Sequence, residues 1–156
     1  MKTITVQAVF DPARMRPAII SEDEPLENLI IKFTRDPHAR GIFLVDSNER
    51  FTGVVTQSDL LRWANLRFGR EPGFGRVNIS RQDIYRLVFS TRAREVARGD
   101  WRTLGVQLSD DLETVLNQMF DHEETDIPVL DEHGKILGDL KISEVLLKAL
   151  EVSRED

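Results

Sequence analysis

Two hydrophobic rhythms, one of period two and one of period three to four, succeed each other along this chain and mark out its elements. Residues 3–9 alternate loosely through Ile4, Val6 and Ala8, which predicts a short strand or extended arm closed by a turn at Asp11-Pro12. After Pro17, Ala18-Ile19-Ile20 predicts a short strand. Ser21 to Glu24 and Pro25 are helix-start residues, and Leu26, Leu29, Ile30 and Phe33 then recur at helical spacing until Asp36-Pro37 stops them. Gly41 to Asp46 (GIFLVD) has the unbroken apolar run of a buried strand; Ser47-Asn48-Glu49 is a turn, and Phe51 to Val55 the returning strand of a hairpin. A helix follows from Gln57, with Leu60, Leu61 and Ala64 expected on its inner face.

Gly69 to Gly75 (GREPGFG) breaks the pattern. Its glycines are spaced like those of phosphate loops, yet no strand leads in and no Gly-Lys-Ser follows, so it reads as a linker. Ser80 to Val88 carries a helical stripe of Ile84, Leu87 and Val88, and Thr91 to Ala97 predicts a further short element before Gly99.

From Gly105 the first half is replayed. GVQLSDDLETVLNQMF repeats the strand, serine cap and amphipathic helix, pairing Ser21 with Ser109, Leu26 with Leu112 and Phe33 with Met119. DIPVLD repeats GIFLVD, and Asp46 and Asp131 each precede a glycine, Gly53 and Gly138, by seven residues. GDLKISEVLLKAL then repeats GVVTQSDLLRWA. The fold class expected is α+β: two β-α-β-β-α units, each too small to bury its own sheet face, packed about a pseudo-twofold axis. The divisions are residues 1–68 for the first repeat with its entry segment, 69–90 for the loop and linker helix, and 91–156 for the second repeat.

With 156 residues and 40% hydrophobic content the chain can bury a real core. It has no cysteine, which excludes disulfides and thiolate metal sites. The start, MKTITVQAVF, is not a secretory signal and no apolar run reaches membrane-spanning length, so a cytoplasmic protein with no membrane partner is expected. The net charge of −6 hides an uneven distribution: ten arginines against Glu71, Asp83, Glu95 and Asp100 give residues 62–102 a charge of +6, leaving −12 elsewhere. Such a stretch can recruit nucleic acid, but the acidic remainder repels it and no stacking aromatics accompany the arginines; a solvated helix face is the simpler account.

One junction suggests chemistry. Gly53-Val54-Val55 runs into Thr56-Gln57-Ser58-Asp59, placing a threonine where a helix N-cap belongs and an acid three residues on. The pair reads as a capping box. It also reads as an anion seat, since amides at a helix start are unpaired and attract negative charge.

These motifs in this order, with Ile127 to Asp131 (IPVLD), resemble the cystathionine-β-synthase (CBS) domain, and the tandem looks like a Bateman module over roughly residues 5–150. The resemblance implies a regulatory module that binds AMP, ADP or ATP between the repeats, requires no other cofactor, and acts on a partner protein; a ligand-free interaction or dimerisation module is the alternative. It places Asp59 at the ribose, Thr56 at the phosphate and Ile19, Ile20, Ile42 and Leu44 along an adenine slot, and counts Phe43 and Ser58 among the nucleotide-binding residues. Phe43 stands where the family usually has proline, and either stacks on a base or fills core. In the second repeat Leu108, Ile127, Pro128 and Val129 keep the slot, but Lys141 replaces the threonine and Glu144 the aspartate, so a weaker site is expected there, with Ser143 capping the helix and Arg92 or Arg94 helping to hold a polyphosphate. No enzyme is expected, because His38, His122 and His133 lack metal spacing and no triad can be matched. Leu60, Leu61, Trp63, Leu146, Leu147 and Leu150 exceed the needs of one intramolecular interface and predict a homodimer.

Overall fold

The computed structural model describes residues 3–69, 82, 92–98, 101 and 103–154. Of the loop and linker helix expected over 69–90, only Gly69 and Gln82 fall among them. The elements run α1 (Val6–Val9), β1 (Ala18–Ser21), α2 (Leu26–Arg35), β2 (Gly41–Val45), β3 (Phe51–Thr56), α3 (Gln57–Phe68), α4 (Ala93–Val96), α5 (Leu112–His122), β4 (Asp126–Leu130), β5 (Ile136–Lys141) and α6 (Ile142–Arg154). This is the mixed α+β architecture expected. The chain forms two compact units, one of Met1–Pro17, Glu49–Phe51 and Arg102–Asp156, the other of Ala18–Asn48 and Thr52–Trp101.

In the unit of residues 18–48 and 52–101, β2 is the middle strand between β1 and β3. β1 runs parallel to β2 in the register Ile19 with Phe43 and Ile20 with Leu44. Leu26, Leu29 and Phe33 of α2 bury onto Ile42, Leu44 and Val55, with Ala93 and Val96 of α4 completing the cluster. The predicted stripe of α2 is therefore its packed face. The helix start differs from expectation: Pro25 is the N-cap and makes no side-chain cap bond, while Ser21 Oγ accepts instead from the Asp23 amide. On α3, Leu60, Trp63 and Leu66 pack against the cluster, but Leu61 is 71% exposed. One residue along a helix turns a side chain by about 100°, and here that step carries Leu61 off the packed side that holds Leu60.

In the other unit, β4 and β5 form an antiparallel pair. The strand expected between Gly105 and the Ser109 cap is reduced to a single parallel bridge between Val106 and Val129, and the next amide, that of Gln107, donates to Asp110 Oδ2 at 2.7 Å. Asp111, not Ser109, caps α5, accepting from the Thr114 amide at 2.9 Å. The N-terminal arm is helical at α1 where a short strand or extended arm was expected. Its Val6 and Gln7 amides donate to the Asp110 and Leu108 carbonyls, and Val6 and Val9, one turn apart, are both buried.

Candidate functional site

The first strand–helix junction is built from its cap. Thr56 ends β3 in extended conformation and caps α3. Its Oγ1 accepts from the Asp59 amide at 3.2 Å, and Asp59 Oδ2 accepts from the Thr56 amide at 2.8 Å. The capping box read from the sequence is thus formed. It leaves the amides of Gln57 and Ser58 unclaimed by the box, at the positive end of the helix. Ser58 is exposed. Asp59 is only 2% exposed, and its remaining oxygen, Oδ1, takes a 2.6 Å bond from Arg62 Nη2. Arg62 is the residue the sequence reading missed: its Nε is buried without a hydrogen-bond partner. The signal was an arginine one turn after a buried-type acid on the same helix.

The five apolar residues assigned to the nucleotide site do not share one face. Ile20, Ile42 and Leu44 point into the cluster beneath α2. Strand alternation puts Ile19 and its register partner Phe43 on the opposite face, where Ile19 is 37% exposed and Phe43 fully buried.

At the second junction, Ile127, Pro128 and Val129 are buried and Leu108 and Glu144 half-buried, and the Leu108 carbonyl is taken by the Gln7 amide. Lys141 Nζ bonds Asp139 Oδ2 at 2.7 Å, Asp139 having no exposed side-chain surface. Burial works against the Lys141 ammonium, but the bond to Asp139 and the charges of Asp126 and Asp139 hold its pKa above the ordinary value. Ser143 does not cap α6, which already begins at Ile142. Arg92 and Arg94, expected to assist Lys141, reach the Asp23 carboxylate.

The sequence reading also passed over Asp126 and Asp139. Both lie within strands and are buried, at 6% and 1% exposure. Their counterparts in the repeat are Gly41 and Val54, so acids stand where the first copy is apolar. Burial above all, then the hydrogen bond and charge of Asp139, pushes the Asp126 carboxyl up to about 9.

An apolar groove of about 380 Å³ is lined by Leu116, Met119, Phe120, Glu123, Glu124, Thr125 and Ile142. Among the described residues, no three His, Cys, Asp or Glu side chains cluster as metal ligands, and no helix is long and apolar enough to cross a membrane.

The family model for the CBS domain matches residues 9–65. A CBS-domain-containing protein from Thermotoga maritima is 25% identical, with 97% of each chain covered and a TM-score of 0.74. CBSX2, solved in complex with AMP, is 20% identical over 97% of this chain and 99% of its own, with a TM-score of 0.73. The CBS domain pair of protein MJ0100, solved with 5′-methylthioadenosine and S-adenosyl-L-methionine, is 10% identical over 98% of this chain and 99% of its own, with a TM-score of 0.64. No curated protein matches the chain in sequence. The chain is a tandem CBS-domain pair in fold.

Proposed function

We propose that this CBS-domain pair is a regulatory module of the cytoplasm that binds an adenine nucleotide, AMP, ADP or ATP, at its first repeat and signals to a partner protein, without catalysis of its own. The observation that carries the reading is the Thr56–Asp59 junction, which offers helix-start amides and a hydroxyl to a phosphate with a carboxylate one turn away. The AMP in CBSX2 supports the ligand class.

Ligand entry requires an exchange at Asp59. Oδ2 stays on the Thr56 amide, and a ribose hydroxyl takes the place of Arg62 on Oδ1. The freed guanidinium, with its unpartnered Nε, then has a phosphate to bind, which conserves the number of charge-assisted bonds. The test is a thermal-shift and calorimetric screen of AMP, ADP, ATP and S-adenosyl-methionine. At about a hundredfold excess over Kd, linkage stabilises the fold by about 2.7 kcal/mol and raises Tm by several degrees. No shift with any adenine nucleotide would sink the proposal.

AMP should bind with a stoichiometry near one per chain. Glu144 carries its carboxylate one carbon–carbon bond, about 1.5 Å, further out than an aspartate, a displacement that forfeits much of a hydrogen bond. Lys141 is committed to Asp139. Two equivalent AMP sites by calorimetry would contradict this, and Lys141→Thr with Glu144→Asp is expected to create a second binding event.

A homodimer is the second element of the proposal. Of the six residues assigned to a dimer face, Leu60 and Trp63 serve their own core, whereas Leu61, Leu146, Leu147 and Leu150 are 71%, 46%, 62% and 55% exposed. Three of these four lie on α6, the specific observation that also favours a pure interaction module. Light scattering should give twice the chain mass, and a monomer at high concentration would refute it.

A further inference from the structure

We infer that the β4–β5 hairpin is a proton-binding site, in which Asp126 and Asp139 share a single proton and Lys141 balances the one charge that remains. Asp126 sits opposite Lys141 and Asp139 opposite Pro128 in the antiparallel register, so the two carboxyls are diagonal neighbours on one face. Both are more than nine-tenths buried. Lys141 Nζ satisfies Asp139 Oδ2, which leaves the Oδ1 atoms of Asp126 and Asp139 buried with no donor. Two buried carboxylates this close cannot both stay ionised, and one ammonium cannot neutralise both. A proton on one oxygen does what the chain does not: it supplies a donor between the carboxyls and brings the trio to net zero.

The surrounding charges act in both directions. Glu144 of α6 adds negative potential and Lys141 is the opposing cation. From the N-terminal segment, the Met15 carbonyl accepts the Asp139 amide, and Asp11 and Arg14 pair with each other. In the first repeat the equivalent contact is between Gly41 and Val54, where an added Cβ would lie 2.9 Å from Val54 Cγ1. That hairpin closes without a proton. The proton site is thus particular to the second repeat and does not depend on nucleotide binding at the first.

Holding a proton that the unfolded chain releases makes the folded state the more protonated one, so stability is complete below the unfolded aspartate range and falls as pH rises towards the folded value of about 9. One extra proton corresponds to a tenfold loss in the folding constant per pH unit. Urea unfolding of the full chain between pH 6 and 8 should show that slope in the wild type. Asp126→Asn, whose amide donates to Asp139 at every pH, should flatten it by close to tenfold per unit. Parallel profiles for the two proteins would overturn the inference. Carbon-13 NMR of the wild-type aspartate carboxyls provides the second measurement, whatever the variant's stability: one carboxyl should titrate far above the ordinary range, and an aspartate set fully ionised by pH 6 would overturn it equally.

Discussion

Asp59→Ala is expected to destabilise the ligand-free protein by about 3–4 kcal/mol, a large part of the roughly 5–15 kcal/mol that holds a typical domain. Two losses combine. The capping box disappears, with the bond from the Thr56 amide to Oδ2, at a cost of about 0.5–2 kcal/mol. The Arg62 guanidinium, whose side chain is 15% exposed, also loses its 2.6 Å partner. Breaking a buried pair from one side costs about 3–5 kcal/mol because a charge is left unpaired, and the residual exposure of Arg62 places the loss below the top of that range. Urea unfolding measures the sum. Arg62→Met in the Asp59→Ala background should recover at least about 1 kcal/mol, since it removes the stranded charge and keeps the stem that packs. A single variant within about 0.5 kcal/mol of wild type would show that neither bond matters to the fold. Asp59→Asn is the better probe of ligand binding, because its carboxamide oxygen can still accept from Thr56 while the charge offered to a ribose is gone.

That side chain shows how far the sequence could be read. The spacing of Thr56 and Asp59 revealed the cap, and the replay of GIFLVD as DIPVLD revealed the repeats, because both depend on near neighbours whose geometry the local backbone fixes. The Arg62 contact depended on which way a long side chain turns, which spacing leaves open. Strand alternation assigns Ile42 and Leu44 to one face and Phe43 to the other; the expectation for these residues came from the family resemblance, which named positions without assigning faces. Asp126 and Asp139 were obscure for a different reason. They lie thirteen residues apart in sequence, and only the register of β4 against β5 makes them neighbours.

The glycines Gly53 and Gly138, equivalent in the repeat, are expected to respond unequally to the same substitution. At Gly53 an added methyl would lie 3.1 Å from Trp101 Cδ1 and 3.8 Å from Leu44 Cδ1, both side-chain atoms that can shift by the few tenths of an ångström required. Gly53→Ala should therefore cost about 1 kcal/mol or less. At Gly138 the same methyl would collide with the Met15 carbonyl oxygen and lie 2.5 Å from the Phe10 ring. A backbone carbonyl cannot rotate away alone, and this one accepts the Asp139 amide at 3.1 Å. Relief requires the segment from Phe10 to Met15 to lift off β5. That movement exposes Met15, now 3% exposed, whose burial is worth about 1.5–3 kcal/mol, and leaves the Asp139 amide to water or without a partner at about 1 kcal/mol or more. Gly138→Ala should thus lose about 3 kcal/mol, several times the loss at Gly53, and its lowered urea midpoint should be accompanied by faster hydrogen exchange at the Asp139 amide. Equal midpoints for the two variants would mean that the segment over β5 yields as readily as a tryptophan edge, and that the close approach of backbone to backbone at Gly138 is not what selects glycine there.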